Sequence, residues 1–179
     1  IDVVIEAAAR VRAEEPRARF LFAGYEGEPG PFRALAEKAG IGDVMAFVGR
    51  IPHEEFHLAL NAADVFLSVP SVDATAVSLL EAMSCGSAII VSGLASAKVW
   101  IRDGTSGLIV PPRDVDALVG AMLRFARDAD FRDQAAAAAM TVARQWAGFD
   151  ANKEAVDKIY RKLSSEGSDW PDAFRLTTL

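Results

Sequence analysis

Short runs of consecutive apolar residues alternate along this chain with segments whose apolar residues recur at helical spacing. The runs read ARFLFAG (18–24), VMAFVG (44–49), DVFLSV (64–69), SAIIVS (87–92) and GLIV (107–110). Strands that are apolar on both faces and separated by helices and short Gly/Pro turns are typical of a parallel sheet. The alternation therefore predicts an α/β fold, with a parallel sheet covered by helices on both faces.

The helical segments give the predicted domain its limits. The first ends near Pro16, and the following ones cover about 32–39, 53–62, 76–84 and a short stretch near Lys98. Three more helices follow Pro111 and Pro112, at 114–127, 131–146 and 152–163. We predict one domain over residues 1–163 and a polar C-terminal tail over 164–179. Because the chain opens inside an amphipathic helix, we expect an N-terminal part to be missing.

Composition excludes several classes of function. The formal net charge is −6 and no block of Lys and Arg stands out, so nucleic acid is not an expected partner. The single cysteine, Cys85, excludes an intramolecular disulfide and fits a reducing compartment, which predicts a cytoplasmic location. The longest apolar runs fall well short of the roughly 20 residues that a membrane-spanning helix needs.

The segment DATAVSLLEAMSCG (73–86) places small residues at a predicted helix start, just after a buried strand. Ligands of parallel α/β sheets bind beyond the carboxyl ends of the strands, and free amides at a helix start bind phosphate. We therefore expect a diphosphate at Ala74, Thr75 and Ala76. Asp73 and Glu81 would lie about 12 Å apart at roughly 1.5 Å per residue, which suits sugar and ribose hydroxyls. The alternative is that Asp73 caps the helix and Glu81 is a solvated side chain.

Two other short motifs suggest metal sites. HEEFH (53–57) satisfies the H-E-x-x-H pattern of zinc peptidases, and Glu81 lies at a plausible spacing for a third ligand. Because the motif directly follows Pro52, it more simply opens a helix. DAD (128–130) resembles a metal-binding D-x-D, but its position between two helices favours a helix cap.

The segment GYEGEPG (24–30) is Gly-rich but carries two glutamates that would repel phosphate.

The stretch DATAVSLLEAMSCGSAIIVS resembles the E-x7-E motif of family 4 of the retaining glycosyltransferases, whose usual form is EGFGL-x-x-LEAMA-x-G-x-P-V-V. The similarity extends to VVIEAAARVRAEEPRARFLFAG, to LAEKAGIGDVMAFVGRIPHEEFHLALNAADVFLSVPS and to IRDGTSGLIVPPRDVDALVGAM. These segments follow the order of that family's C-terminal, donor-binding domain. The resemblance implies the second Rossmann-like half of a two-domain GT-B enzyme, without its acceptor-binding half.

The resemblance also implies roles for individual residues. Glu81 becomes the ribose-binding glutamate, Asp73 the catalytic carboxylate near the donor sugar, and Ala74–Val77 the backbone loop under the diphosphate and sugar. The nucleobase is expected near the turns at Gly24 and at Gly49–Arg50. The family's GFGL is ATAV here and its first glutamate is an aspartate, a carboxylate that is one methylene shorter.

The family also commonly places an Arg and a Lys near the first strand of this domain, ahead of the point where this chain begins. The basic residues near predicted strand ends are Arg50, Lys98 and Arg102, for which we predict solvated surface positions.

These observations predict the donor-binding domain of a retaining, hexosyl-type glycosyltransferase. The donor would be a UDP-, GDP- or ADP-sugar, and no cofactor or metal is expected. The expected partners are an N-terminal domain of the same protein, an acceptor of unknown identity and, for the full-length enzyme, the inner face of a membrane. Two alternatives stay open: a catalytically silent nucleotide-binding or assembly module, and a zinc peptidase that uses His53 and His57.

Overall fold

The computed structural model describes residues 1–24, 30–74 and 76–165, except for the side chains of 149–151, 164 and 165. The elements in chain order are α1 (Asp2–Glu14), β1 (Phe20–Ala23), α2 (Gly30–Lys38), β2 (Met45–Gly49), α3 (His53–Ala62), β3 (Val65–Ser68), α4 (Val77–Cys85), β4 (Ala88–Ser92), α5 (Ala95–Lys98), β5 (Leu108–Val110), α6 (Val115–Arg127), α7 (Ala129–Trp146) and α8 (Phe149–Ser165). The predicted alternation of strands and helices is confirmed. Most of the Gly-rich segment 24–30 lies outside the described residues.

The strands are all parallel, but they form two sheets. β1 pairs with β2, while β4 lies between β3 and β5. Within the described part of the chain no ladder joins β1 to β3, so the single sheet expected from the sequence is divided. Within each sheet the strands are parallel, so their carboxyl ends lie at one edge of that sheet. The loops that leave this edge lead into helices.

Strand β4 is buried over its whole length because helices cover both of its faces. Ala88 and Ile90 point into a core shared with α1 and α6. Ile89 and Val91 point the opposite way, into a core built with α3, α4 and α7. Successive strand residues alternate between faces, so one continuous apolar run supplies both layers. The predicted covering of the sheet by helices on both faces is confirmed for this strand.

Strand β1 departs from the fully buried strand that its sequence predicts. It covers four residues rather than the predicted run of seven, and 57% of Leu21 is exposed. Leu21 pairs across the ladder with Ala46, which is also exposed. Because β1 has a ladder partner on one side only, apolar sequence alone overstates its burial.

Short polar side chains mark the starts of the later helices. Asp114 precedes α6, and its Oδ1 accepts a hydrogen bond of 2.9 Å from the amide of Ala117. Asp128 precedes α7 and accepts in the same way from Phe131, also at 2.9 Å. Such caps satisfy amides that the first helical turn leaves without partners. The prediction that the DAD segment holds a helix cap is therefore confirmed at Asp128.

Exposed ion pairs join α1 to α6. Arg127 donates from Nε to Glu15 at 2.7 Å and from Nη2 to Glu14 at 2.9 Å, and Arg10 pairs with Asp116 at 2.6 Å. The hydrogen bonds to Glu15 and Glu14 raise the pKa of the Arg127 guanidinium above its ordinary value. All of these groups are solvated, so the pairs favour one register between the helices more than they add stability.

The chain divides into two compact units, one comprising residues 1–143 and one beginning at Arg144. The sequence predicts a single domain to residue 163, so this division is earlier than expected. In the second unit, Asn152 donates to the carbonyls of Trp146 and Gly148 at 3.1 and 3.0 Å, at the start of α8. Helix α8 runs to Ser165, so the predicted tail begins inside it. No helix among the described residues combines the length and apolar character that a membrane crossing needs.

Candidate functional site

An open hollow lies at the carboxyl ends of β3 and β4. Its empty volume is about 250 Å³, part of which is open solvent. The walls come from the loop between β3 and α4, from the first turn of α4, and from the segment that joins β4 to α5. The lining residues are Ser68, Pro70, Asp73, Ala74, Ala76, Leu79, Ser92, Leu94, Ser96 and Ala97. Carboxyl ends of neighbouring parallel strands are the usual position of ligand sites in open α/β sheets.

Two serine hydroxyls hold the walls of the hollow together. The Oγ of Ser92, at the end of β4, donates to the carbonyl of Pro70 at 2.6 Å. The Oγ of Ser96, in α5, donates to the carbonyl of Asp73 at 3.2 Å. Both bonds tie the loop after β3 to the segment after β4. Neither serine was predicted as a site residue, although a polar residue at the end of the buried run SAIIVS is a signal that could have indicated Ser92.

Helix α4 starts at this hollow without a capping side chain. Its N-cap is Ala76, with extended backbone (φ −70°, ψ 118°), and its first turn holds no acidic residue. Asp73 lies three residues earlier and is exposed, so the alternative that Asp73 caps the helix is not what the structure shows. The positive end of the helix dipole therefore meets the hollow, and no described side chain caps the first turn of α4.

The predicted diphosphate loop lies at this helix start. Ala74 and Ala76 line the hollow, and Val77, the first helical residue, is 67% exposed. Thr75 lies outside the described residues. Small side chains leave the backbone of this loop accessible from the hollow, which is the arrangement that binding of an anion by helix amides requires.

Glu81 lies one turn farther along α4 and faces the start of α3. Its side chain is 28% exposed, and Oε1 is 3.5 Å from Nδ1 of His53. Helix α4 begins at Val77, so about 6 Å of helix rise separates Val77 from Glu81. Glu81 is not among the residues that line the hollow.

The two turns that were predicted to approach the nucleobase contain Gly24 and Gly49. A backbone hydrogen bond joins these two glycines. The amide of Gly24, after β1, donates to the carbonyl of Gly49, at the end of β2, at 2.8 Å. Both have positive φ, +84° and +67°, and a Cβ at either would meet open space. Glycine is therefore required by backbone conformation rather than by crowding. Arg50 follows directly and is exposed.

Comparison with known sequences identifies the family. A sequence model described as Glycosyl transferases group 1 matches residues 1–142. This chain belongs to that family. Among curated relatives, the D-inositol 3-phosphate glycosyltransferase of Kribbella flavida is 29% identical over 170 residues. The match covers 89% of this chain and 40% of the relative, so the chain spans well under half of that glycosyltransferase.

Solved glycosyltransferase structures share the fold. Sucrose-phosphate synthase from Thermosynechococcus elongatus superposes with a TM-score of 0.82 and 24% identity, over 91% of this chain and 43% of that one. An Anabaena protein solved in complex with UDP-glucose superposes with a TM-score of 0.80 and 18% identity, over 91% of this chain and 44% of that one. At these identities the likeness shows the fold, which is that of GT-B glycosyltransferases.

The basic residues of this glycosyltransferase chain near the strand ends are exposed, as predicted. Arg50, Lys98 and Arg102 all have exposed side chains. The Lys98 side chain lies beside Gly93, which follows β4, because a Cβ at Gly93 would be 3.7 Å from Cε of Lys98. Arg102 is held through its backbone amide, which donates to Oγ of Ser106 at 2.9 Å.

The H-E-x-x-H segment forms the first turn of α3. Pro52 is the N-cap, so His53 is the first helical residue, in agreement with the helix-opening interpretation. His53 and His57 are both exposed, and His53 faces Glu81. Among the described residues no group of three or more His, Cys, Asp or Glu side chains is arranged to hold a metal ion. Membership of a glycosyltransferase family explains the chain without the zinc peptidase alternative.

Proposed function

We propose that this chain is the donor-binding domain of a retaining, family 4 glycosyltransferase. It would hold a UDP-, GDP- or ADP-sugar while a hexosyl-type sugar passes to an acceptor. The observation that carries the proposal is the uncapped start of α4 at the hollow beyond the carboxyl ends of β3 and β4. A helix start of this kind attracts the diphosphate that every nucleotide-sugar carries.

The described geometry supports an ordered arrangement of the donor. The diphosphate would contact the backbone at Ala74–Val77, with the sugar towards Asp73 on the rim of the hollow. The ribose would meet Glu81, one helical turn from that start. Glu81 faces the first turn of α3, which follows β2, so the nucleobase would lie towards Gly49–Arg50 and the adjoining Gly24. A structural neighbour that was solved with UDP-glucose supports a nucleotide-sugar as the ligand class.

The catalytic contribution of this domain would be electrostatic. Cleavage of the bond between sugar and phosphate leaves additional negative charge on the diphosphate. Helix amides that already point at the diphosphate stabilise that charge without reorganising. Asp73 would provide the carboxylate close to the sugar, and it is exposed at the rim of the hollow. No cofactor or metal forms part of the proposal, and the location proposed is the cytoplasm, at or near the inner face of the membrane.

Titration of the chain with UDP, GDP and ADP, and with their hexose conjugates, should identify one preferred nucleotide. Affinity should reside mainly in the nucleotide, because base, ribose and diphosphate supply most of the proposed contacts. Isothermal titration calorimetry measures the dissociation constants, with inorganic phosphate as a control for simple anion attraction. If none of the nucleotides binds more tightly than phosphate, the proposal is wrong.

The 179-residue chain on its own should transfer no sugar, although it should bind the donor weakly. An acceptor-binding domain is expected to supply the acceptor and any general base, and this chain spans 40% of a curated relative. Release of free nucleotide from the preferred donor in the presence of acceptor measures transfer. The assay is run once with the isolated chain and once with the complete protein. Turnover by the isolated chain would contradict this prediction. Donor binding with no turnover by the complete protein would instead identify a catalytically silent module.

A further inference from the structure

His53 makes a contact that the family assignment and the proposed function leave unexplained. Its Nδ1 lies 3.5 Å from Oε1 of Glu81, although the two residues are 28 positions apart in the chain. The imidazole is 87% exposed, whereas the carboxylate is 28% exposed. Within the part of the chain that the structure describes, no other ion pair or side-chain hydrogen bond of Glu81 occurs.

The backbone on either side of this contact is firmly held. Pro52 ends the preceding loop as the N-cap of α3, so His53 begins the helix. Farther along α3, Leu60 is buried in the core that also contains Leu79 and Met83 of α4. The carbonyl of Leu60 accepts a hydrogen bond of 3.2 Å from Oγ of Ser87. Packing thus determines how far the start of α3 lies from α4, and the His53 side chain spans the remaining distance.

A glutamate that recognises a ribose needs a fixed orientation. Its side chain has three rotatable bonds, and both ribose hydroxyls can be engaged together only when the carboxylate plane is suitably turned. A donor on one carboxylate oxygen restricts that plane and leaves the other oxygen free to accept. At 3.5 Å the His53 contact is longer than a hydrogen bond. Because the imidazole is exposed, a small rotation of its side chain would bring Nδ1 within hydrogen-bond distance of Oε1.

The same contact moderates the charge next to the ribose. A nucleotide-sugar brings a diphosphate close to Glu81, and two anionic groups repel one another. The N–H dipole of His53 offsets part of that repulsion. His57 provides a natural comparison, because it lies one turn farther along the same helix and its side chain makes no hydrogen bond or ion pair among the described residues.

We propose that His53 is a positioning residue, which orients Glu81 towards the ribose hydroxyls through Nδ1 and so helps the chain to distinguish ribonucleotides from deoxynucleotides. The inference rests on the proposed function, since it assigns the ribose to Glu81. It identifies a use for the H-E-x-x-H segment that involves no metal. His53 would not touch the reacting atoms and would act only through Glu81.

The test compares the affinity of the chain for UDP, GDP or ADP, whichever binds best, with its affinity for the matching 2′,3′-dideoxynucleotide. The ratio of the two affinities reports recognition of the ribose hydroxyls. In His53→Phe, which keeps a ring but removes the donor, the ratio should fall about fivefold, the usual worth of one hydrogen bond. In His53→Asn, whose amide nitrogen can replace Nδ1, most of the ratio should return. In His57→Phe it should not change.

Each outcome bears on a separate assumption. Glu81→Ala should abolish the preference for the ribonucleotide. If it does so while His53→Phe leaves the ratio unchanged, the ribose assignment stands and the role of His53 is wrong. If His53→Phe weakens both nucleotides equally, His53 acts on folding or on another part of the ligand, which also overturns the inference. If Glu81→Ala keeps the preference, the ribose assignment in the proposed function fails, and the role of His53 fails with it.

Discussion

Replacing Glu81 by alanine should lower kcat/KM for the nucleotide-sugar donor by about 150-fold or more. The carboxylate is proposed to accept hydrogen bonds from two ribose hydroxyls, and each bond to a charged group contributes about 1.5–3 kcal/mol. Their loss exceeds the effect of any single neutral contact at the site. Steady-state kinetics of the complete protein, with the preferred donor varied at saturating acceptor, measure the change.

Glu55→Ala is the matched control for this experiment. Glu55 is an exposed glutamate in the first turn of α3, close in sequence to the residue that contacts Glu81. Its removal changes the net charge by the same amount and should leave kcat/KM unaltered. Equal losses in the two variants would show that overall charge, and not contact with the ribose, determines donor affinity. An unchanged kcat/KM in Glu81→Ala would contradict the ribose assignment directly.

Introducing a single methyl group at Gly107 should destabilise the fold by about 3 kcal/mol, the upper end of the usual effect of overpacking. Gly107 immediately precedes β5, and a Cβ there would lie 2.7 Å from the carbonyl oxygen of Ile89 and 2.9 Å from Cγ2 of Ile101. Ile89 belongs to the buried central strand β4, so its backbone cannot move aside without disturbing both cores. Urea denaturation followed by circular dichroism measures the free energy of unfolding.

Gly120→Ala makes the same chemical change where space is available. Gly120 lies in the middle of α6 and is exposed, and a Cβ there would meet no atom within 4 Å beyond the backbone of its own helix. Alanine in an exposed helix interior should raise the free energy of unfolding by about 1 kcal/mol. The two variants should therefore move the denaturation midpoint in opposite directions. A wild-type midpoint for Gly107→Ala would show that the strands can separate to accept the methyl group.

Much of the secondary structure could be predicted from local patterns. The helix expected at 53–62 is observed as α3 with the same limits, and the helix expected at 114–127 begins one residue later because Asp114 is its cap. Apolar spacing and capping residues act within a few positions of the chain, so a sequence displays them directly. The split of the sheet and the exposure of β1 were not predicted, because they depend on which strands are paired.

The candidate site was predictable only in part. A position after a strand and before a helix indicated that Asp73, Ala74 and Ala76 would lie at a strand end, and all three line the hollow. No pattern indicated that Glu81 would face His53, because that contact depends on how α3 packs against α4.

The amino-acid sequence was sufficient for the order of helices and strands, for the α/β fold class and for the position of segment 73–76 between a strand and a helix. These properties follow from periodicity, turn chemistry and strand polarity, which are short-range features of the chain. The hollow, the serine hydrogen bonds across it and the pairing of Glu81 with His53 came only from the folded arrangement. Each of them joins residues that are distant in the chain, and the packing of buried apolar faces determines which of these meet.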